Sequence, residues 1–136
     1  GSSFRGTSVS FHQGTLDWII KNNSKSFSII LSEISIGLIS LSHIDSIKNT
    51  AQIGYWLSSK HWRLGFMSIA FNEVLQEAIR TGIKFVSSTI HNDNIASIKL
   101  WQKYDSVEKN IDKQKTKYTI KLPNKSLQGM LASSHP

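Results

Sequence analysis

Two neighbouring apolar runs dominate the first third of the chain. Residues 26–31 ("SFSIIL") and 34–41 ("ISIGLISL") are rich in Ile and Leu and are joined through Ser32 and Glu33, which predicts a β-hairpin. The second run carries large apolar side chains on both alternating faces: Ile34, Ile36 and Leu38 on one, Ile39 and Leu41 on the other. We therefore expect a central strand that is covered on both faces.

The longest periodic stretch follows residue 63. Its apolar positions are 64, 67, 70/71, 74/75 and 78/79, the spacing of an amphipathic helix. The polar residues between them predict the side that faces solvent: Ser68, Asn72, Glu73, Gln76, Glu77 and Arg80. Gly82 has the position of the C′ residue that ends such a helix.

Three further runs predict strands, at 51–57 ("AQIGYWL"), 83–90 ("IKFVSSTI") and 117–122 ("KYTIKL"). Gly54 inside the first of them indicates a bulge or a close approach by another backbone or a ligand. The third alternates Tyr118, Ile120 and Leu122 with polar residues, which is typical of a half-exposed strand.

Two shorter segments predict helices. Residues 15–22 begin with Thr15 as a suitable N-cap, and a segment from about 95 to 104 follows the N-cap candidates of "HNDN". In the second segment Ile95, Ile98 and Trp101 share one stripe. The predicted order is helix, hairpin, strand, helix, strand, helix, strand, which describes an α+β fold with a mixed sheet in one domain over residues 1–136. Residues 123–136 are weakly patterned and receive no assignment.

The composition narrows the class of protein. The chain has no cysteine, which excludes disulfides, thiolate metal sites and a cysteine nucleophile and favours a reducing cytoplasm. No run approaches the length of a membrane span, and the five histidines lack the spacing of a metal site. No Ser-His-Asp arrangement is legible.

The net charge of +7 is partly concentrated in one segment. Residues 99–125 contain eight lysines against three acidic residues, so this segment alone carries 8 − 3 = +5. Such a patch favours an anionic partner, whether nucleic acid, an acidic protein or a polyphosphate cofactor. A solvated lysine-rich surface is a better interpretation of this segment than a nucleic-acid site.

Three stretches resemble one known family. They are "IGLISLSHID", "AQIGYWLSSKHWRLGFMSIAFNEVLQEAI" and "HNDNIASIKLWQK". Their motifs and order are similar to those of the GCN5-related N-acetyltransferases, above all the Rim-type subgroup that acetylates the N-termini of ribosomal proteins. The resemblance covers residues 27–104, and its most specific parts are "IGYWL" and Asn94-x-x-Ser97.

The resemblance implies a mostly antiparallel sheet, splayed between strands 51–57 and 83–90, with acetyl-CoA in the gap. The pantetheine arm would bond to the backbone of the first strand and the pyrophosphate would lie on the turn before the long helix. The residues so assigned to the cofactor are Leu57, Ser58, Trp62, Arg63, Leu64, Gly65, Phe66, Met67, Ser68, Asn94, Ser97 and Trp101.

The same resemblance suggests the catalytic groups. A backbone N–H near Leu57 or Ser58 would stabilise the oxyanion. Many family members have a Tyr at the position of Trp101, and because an indole N–H is a poor proton donor, Ser97 becomes the candidate general acid. Ser97 is equally well explained by a bond within the first turn of its helix. Asn94 is expected both to bind pantetheine and to cap that helix.

The general base stays open. Its candidates are His43, Asp45, His61 and His91, and each is more often an ordinary loop residue. A chain of water molecules can serve instead, because an N-terminal amine has a pKa near 8 and is partly neutral already.

The chain departs from the family pattern in three places. Arg63 stands where close relatives usually have a glycine, and Asp105-Ser106 stands where the family has Gly-Phe. The first strand and first helix of the family are expected to be shortened or missing. An acyl-CoA-binding homologue with impaired catalysis is therefore an alternative to an active enzyme, and a basic nucleic-acid-binding module is a third, disfavoured one. We expect no membrane association, and a homodimer is left open.

Overall fold

Eight strands form one continuous sheet in the computed structural model, which describes residues 4–11, 14–21, 24–62 and 65–123, the first two ranges for their backbone alone. The strands are β1 (Phe4–Phe11), β2 (Gly14–Lys21), β3 (Ser24–Leu31), β4 (Ile34–Asp45), β5 (Thr50–Leu57), β6 (Phe85–His91), β7 (Val107–Asn110) and β8 (Lys115–Lys121). Their order in the sheet is β1-β2-β3-β4-β5-β6-β8-β7. Two helices follow β5 and β6 respectively: α1 (Phe66–Arg80) and α2 (Ile95–Gln102). This is the predicted α+β fold with a mostly antiparallel sheet.

The predicted hairpin is confirmed, with β3 and β4 paired antiparallel. Its two turn residues, Ser32 and Glu33, have φ values of 51° and 68°. Positive φ at both positions is the backbone that a two-residue turn needs to match the twist of its flanking strands. The strands predicted at 51–57, 83–90 and 117–122 are confirmed as β5, β6 and β8. The sequence pattern missed β1 and the short, fully exposed β7.

The helix predicted at 15–22 is wrong, because residues 14–21 form β2. β2 pairs with β3 from Thr15↔Ile30 to Lys21↔Ser24 and with β1 on its other side. A helix of this length is marginal in water, whereas a strand with two neighbours satisfies its backbone groups on both edges. Trp18, Ile19 and Ile20 also favour extended backbone. The two strands before the hairpin stand where the resemblance led us to expect a shortened first strand and helix.

The sheet has two different faces. The helical face carries the core side chains Phe27, Ile29, Ile39, Leu41, Ile53, Val86 and Ile120, all at most 3% exposed. The alternate positions form the polar face, which carries Ser26, Ser28, Ser40, Ser42, Gln52, Ser87 and Thr119 on strands β3–β6 and β8. α1 packs on the helical face across β3 and β4. Among the described residues, no helix lies on the polar face.

The prediction that β4 is covered on both faces is therefore wrong. Ile34 is 65% exposed beside the turn, and Leu38 is only partly buried on the polar face. Ile36 is buried because a bulge interrupts the pairing, which passes from Ile30↔Ser35 to Ile29↔Gly37. The extra residue at the bulge changes which face of the sheet the neighbouring side chains occupy. The regular alternation predicted from the sequence therefore does not hold at this point.

α1 agrees with its predicted helical spacing, and Gly82 follows it with φ 89°. Glu77, predicted to face solvent, is instead 6% exposed. Lys25 Nζ lies 2.8 Å from Glu77 Oε2, and Arg80 also pairs with this carboxylate. Burial lowers the pKa of Lys25, and the nearby Arg80 lowers it further. The Lys25–Glu77 pair thus attaches α1 to β3, and Arg80 adds a second positive charge beside a buried carboxylate that would be costly alone.

α2 begins where predicted, but a different side faces the core. Its buried residues are Ser97, Leu100 and Trp101, whereas Ile95 is 54% exposed and Ile98 only partly buried. The predicted stripe of Ile95, Ile98 and Trp101 is therefore correct at Trp101 and in part at Ile98, which packs against the core, and wrong at Ile95. Phe71 of α1 packs against the ring of Trp101 at 5.2 Å and against Tyr104 at 5.3 Å, which places both helices on the same face.

The two glycines in the β4–β5 pair differ in what surrounds them. A Cβ at Gly37 would lie 2.7 Å from the Trp56 carbonyl oxygen and 2.8 Å from Leu57 Cδ1. At Gly54 the nearest atom would be Ser40 Oγ at 3.7 Å, an ordinary contact. Of the two alternatives predicted at Gly54, the bulge is wrong, since Gly54↔Ser40 is regular and the irregularity in this pair lies between Ser42 and Asp45. The close approach by a ligand stays a prediction.

This difference gives a matched test of the packing. Gly37→Ala should lower the free energy of unfolding by about 1–3 kcal/mol because the backbone of β5 must move away. Gly54→Ala should leave it within about 1 kcal/mol of the wild type, since the added methyl makes only an ordinary contact with Ser40 Oγ. Urea denaturation measures both. Equal losses in the two variants would show that the close approach at Gly37 does not exist.

Candidate active site

The sheet opens between its two central strands. β5 and β6 are the parallel pair of the sheet, and only Thr50↔Phe85, Ala51↔Val86 and Gln52↔Ser87 are paired. Beyond Gln52 and Ser87 the two strands separate, while β5 stays paired with β4 as far as Leu57 and β6 with β8 as far as His91. The splayed sheet that the resemblance implied is confirmed.

Backbone groups of β5 face this gap. The Ser58 N–H donates to the Ile36 carbonyl at 2.8 Å, so Ser58 and, by alternation, Trp56 point toward β4. The N–H and C=O groups of Tyr55 and Leu57 consequently point the other way, into the gap. An extended ligand can pair with the N–H and C=O of Tyr55 and with the N–H of Leu57 as an added strand would, whereas the Leu57 carbonyl already accepts a hydrogen bond from Trp62.

The edge of β6 is similar. The Asn92 N–H donates to the Gln114 carbonyl at 2.7 Å, which directs the backbone of Ile90 toward β8 and that of Thr89 into the gap. Both walls of the opening therefore offer main-chain donors and acceptors.

A turn connects the open end of β5 with α1. The Trp62 indole Nε1–H donates to the Leu57 carbonyl at 2.7 Å, which fastens the turn to the end of the strand. Gly65 is the N-cap of α1 with φ 86°, a conformation that favours glycine. Of the residues that the resemblance assigned to the turn, Arg63 and Leu64 lie outside the described residues.

The start of α1 has the properties of an anion site. The first turn of a helix presents N–H groups that lack intrahelical partners. Here neither a side-chain cap nor an acidic residue occupies that position, and Lys103 Nζ lies 3.1 Å from Ser68 Oγ in the first turn. The partial positive charge of a 15-residue helix and a nearby ammonium group thus act at one place.

The start of α2 contributes side chains. Asn94 accepts a hydrogen bond from the Ser97 N–H at 3.3 Å, so the predicted capping role of Asn94 is confirmed. Ser97 is buried to 9% exposure on the core side of the helix. Its hydroxyl shares a hydrogen bond with the phenol of Tyr55.

Tyr55 joins the two sides of the site. The Trp101 indole Nε1–H donates to Tyr55 Oη at 3.2 Å, and the Tyr55 ring packs edge-on against Phe71 at 6.3 Å. Burial raises the pKa of the Tyr55 phenol, while its hydrogen bonds with Ser97 and Trp101 act in the opposite direction. The phenol is therefore protonated at neutral pH and bonds to Ser97.

The structure also distinguishes the two aromatic residues of "IGYWL". Tyr55 packs on the helical face and Trp56, 54% exposed, lies on the polar face opposite Leu38. Alternation alone puts these two side chains on opposite faces without showing which one faces the core, and Tyr55 was not among the predicted site residues. Its alternation with the core residue Ile53 was the signal that could have placed it.

Four residues were candidates for the general base. The Asp45 carboxylate accepts hydrogen bonds from the N–H groups of Lys48 and Ile47, which hold the pKa of this carboxyl below its usual range. Such a carboxylate is a weak base. His61 lies against the Phe66 ring, 6.1 Å between centroids, and His91 is exposed at the end of β6.

His43 has the most suggestive position. It lines a cavity of about 220 Å³ on the polar face together with Gln52 and Ser87, the last pair before the strands separate. Its ring Nδ1 is 3.1 Å from Ser42 Oγ. In the part of the chain that the structure describes, no group of His, Asp and Glu side chains is arranged to hold a metal ion.

One departure from the family pattern is accommodated by the backbone. Asp105 stands where the family has glycine, and it adopts φ 59°. Aspartate tolerates the left-handed region better than most residues. The turn after α2 thus keeps a glycine-like conformation without a glycine.

A sheet opened between two parallel strands, with an uncapped helix start at the wide end, is the architecture of acyl-CoA-dependent acetyltransferases. Residues 5–106 match the family model described as "Acetyltransferase (GNAT) domain". The chain therefore belongs to the GNAT acetyltransferase family, and the resemblance stated from its sequence is confirmed.

Individual relatives are more distant. The chain is 31% identical over 70 residues to the ribosomal-protein-serine acetyltransferase of Escherichia coli (strain K12), a match that spans 52% of this chain and 39% of that protein. A structure of RimL, a ribosomal L7/L12 alpha-N-protein acetyltransferase in complex with coenzyme A, matches with a TM-score of 0.68 at 22% identity over 74% of this chain and 63% of the other. A spermidine/spermine N-acetyltransferase, SpeG from Vibrio cholerae, matches with a TM-score of 0.67 at 19% identity, covering 84% and 73%.

Neither α1 nor α2, the helices within the described ranges, has the length and apolar character required to span a membrane.

The environment of the tyrosines predicts that they lose their protons at a higher pH in the folded chain than in the unfolded chain. Burial raises the pKa of Tyr55, Tyr104 and Tyr118 above the ordinary value of 10.0. Because the folded chain holds these protons more tightly than the unfolded chain, its stability should be constant near neutral pH and fall as the pH rises above 10. Ultraviolet titration should show tyrosinate forming later in the native protein than in urea, and Tyr55→Phe should remove one late-titrating group. Coincident native and unfolded titrations would contradict the burial of Tyr55.

Proposed function

We propose that the chain is an acetyl-CoA-dependent N-acetyltransferase that transfers an acetyl group to a primary amine, with a protein N-terminal amine as its acceptor. The observation that carries the proposal is the opening between β5 and β6, with backbone groups along one wall and a helix start at its end. The ribosomal-protein acetyltransferases among the relatives support the acceptor class.

The residues of the gap fit acetyl-CoA. The backbone of Tyr55 and Leu57 suits the amide groups of a pantetheine arm, and the start of α1 from Gly65 to Ser68 suits its pyrophosphate. A Cβ at Gly65 would have no atom of the described residues within 4 Å, apart from its chain neighbours, so these residues leave the approach to the turn open. Asn94 caps α2 through its Oδ1 and is exposed, so its side-chain NH2 can donate to the arm.

Beyond the last β5–β6 pair, the N–H groups of Tyr55 and Leu57 face the gap. They lie two residues apart, about 7 Å along the strand. We keep the Leu57 N–H as the proposed donor to the oxyanion. The Tyr55 N–H has the same orientation and lies closer to the point where β5 and β6 separate. Fixed main-chain donors of this kind stabilise the charge that develops on a carbonyl oxygen under attack.

Acetyl transfer also needs a proton for the departing thiolate. Acetyl-CoA supplies the activated acetyl group; the amine nitrogen forms the new C–N bond as the C–S bond breaks. We assign the donation of the proton to the hydroxyl of Ser97, positioned by its hydrogen bond with the Tyr55 phenol. Trp101 cannot serve as the donor, but its indole N–H orients the Tyr55 oxygen.

The amine must lose a proton before or during its attack. His43 is the base candidate that the structure brings to the point of separation of β5 and β6, on the polar face. An N-terminal amine is already partly neutral near pH 8, so a modest contribution from His43 suffices.

Cofactor binding is tested with two matched glycines. Gly65 and Gly82 have φ values of 86° and 89°, and a Cβ at either would meet no atom within 4 Å. Alanine at each site should therefore cost a similar amount of stability, about 1 kcal/mol. Saturating acetyl-CoA should raise Tm by several degrees in the wild type and in Gly82→Ala, and by much less in Gly65→Ala.

A thermal shift of equal size in the two alanine variants would remove the turn from the cofactor site. An unchanged Tm of the wild type in millimolar acetyl-CoA would reject the proposed function.

The catalytic assignment is tested by removing hydroxyl groups. Ser97→Ala should lower kcat by about 100-fold or more if its hydroxyl is the proton donor, with little change in the Tm shift by acetyl-CoA. Tyr55→Phe keeps the ring on Phe71 and should lower kcat less, because only the positioning hydrogen bond is lost. Steady-state release of CoA with peptide acceptors measures both. An undiminished kcat in Ser97→Ala would contradict the assignment.

A chain that binds acyl-CoA without transferring it is the second candidate. It is favoured by Arg63 and by Ser106 in place of the family's phenylalanine. The Ser106 hydroxyl is buried and has no hydrogen-bond partner among the residues that the structure describes. Acetyl-CoA would then raise Tm, but no CoA would be released with any amine, protein or small molecule.

A further inference from the structure

The polar face is strongly basic at one end of the sheet. Lys117 and Lys121 of β8 alternate there with Thr119, away from the buried Tyr118 and Ile120. By the registers, Lys115 of β8 and Lys109 of β7 lie on the same side. We call Lys109, Lys115, Lys117 and Lys121 the basic face.

Acidic residues offset the charge of these lysines only in part, since Asp112 interacts electrostatically with Lys115 alone among them. On the described strands β5, β6, β7 and β8, no Asp or Glu shares the side of the sheet with the basic face. Glu108 pairs with Tyr118 on the opposite side. Asp112, in the turn before β8, accepts hydrogen bonds from the N–H groups of Gln114 and Lys115.

The basic face has an unfavourable internal arrangement. Lys109 and Lys117 are direct cross-strand partners, and like charges in that position repel each other and destabilise the pair. The exposed side chains are also available to a partner. A chain with two opposed lysines on an exposed surface loses stability that an anionic ligand would restore.

The basic face adjoins the candidate active site. Lys117 and Thr119 line the cavity that also contains His43, Gln52 and Ser87. Gln52 and Ser87 are the last paired residues before β5 and β6 separate. A ligand that enters the gap from the polar face therefore passes Lys117.

We propose that the basic face docks an acidic segment of the acceptor, so that the preferred substrate is a protein whose reacting N-terminal amine is followed by Asp or Glu residues. The proposal rests on the proposed function, because it places the amine at the gap. Ion pairs between the carboxylates and the lysines give the recognition. A polycationic acceptor such as a polyamine is repelled, and nucleic acid, which would match the charge, offers no aliphatic amine.

The test compares short peptides of equal length that share an N-terminal serine and continue with Glu, Gln or Lys residues. The proposal predicts kcat/KM values in the order Glu, Gln, Lys, with the first on the order of tenfold above the second, as expected from a few exposed ion pairs. The advantage should shrink at high salt. A ratio near one would overturn the proposal even if acetylation proceeds.

Charge-reversal variants locate the effect. Lys117→Glu should abolish the preference for the Glu peptide, and Lys109→Glu should weaken it. Lys99→Glu changes the net charge equally but lies exposed on α2, on the other side of the sheet, so it should leave the preference intact. Equal effects of Lys99→Glu and Lys117→Glu would mean that only net charge matters and would refute a docking surface.

Two controls keep the outcome separate from folding and from catalysis. Lys109→Glu replaces a repulsive cross-strand pair by an attractive one, so its Tm should rise while its preference falls. Fluorescence anisotropy with labelled peptides, without acetyl-CoA, measures docking directly. Salt-sensitive binding of the Glu peptide that is lost in Lys117→Glu supports the docking surface even if no turnover occurs.

Failure of acetyl-CoA to bind would reject the proposed function but not the docking surface. A single-stranded RNA that displaces the Glu peptide and binds more tightly would overturn the acidic-protein assignment.

Discussion

The separation of β5 and β6 after three residue pairs is the constraint on which the rest of the structure depends. Two adjacent strands in the middle of a sheet would normally satisfy each other's backbone groups along their whole length. Here β5 stays paired with β4, and β6 stays paired with β8, but β5 and β6 no longer pair with each other. The result is a row of polar main-chain groups at the centre of the molecule, where a substrate can replace the missing strand.

Several features keep the gap open. The Trp62–Leu57 hydrogen bond holds the end of β5 against the turn, and the bulge in β4 places Gly37 directly under Trp56 and Leu57. On the other side, the aromatic cluster of Phe71, Trp101 and Tyr104 fixes α2 against α1. Tyr55 lies between these two units and bonds to Trp101 across the gap. The opening is therefore held on one side by the exposed Trp62 side chain and on the other by the fully buried rings of Phe71 and Trp101.

The sequence predicted the parts of the fold that depend on local pattern. α1, the hairpin and the strands 51–57, 83–90 and 117–122 follow from periodicity and turn chemistry alone. The failures had tertiary causes. Residues 15–22 form a strand because they have neighbours on both edges, and Glu77 is buried because Lys25 arrives from a distant strand. The buried side of α2 was predicted incorrectly because Ser97 faces Tyr55, which belongs to β5.

The site was predictable mainly through motifs that resemble a family. The turn at Gly65 and the cap at Asn94 follow from local sequence, and the structure has both. Tyr55 was not predicted, since its role depends on Ser97 and Trp101, more than 40 residues later in the chain. The basic face was visible only as a charge excess. The registers of β7 and β8 were required to show that its lysines share one side of the sheet.

Residue-resolved amide hydrogen exchange, followed by NMR with and without acetyl-CoA, tests the central claim most directly. The account predicts that the N–H groups of Tyr55 and Leu57 exchange rapidly in the free protein and become protected when acetyl-CoA is added, while Trp56 and Ser58, bonded to β4, are protected in both states. Protection of Tyr55 and Leu57 in the free protein would show that the two strands are joined along their length. That result would contradict the account.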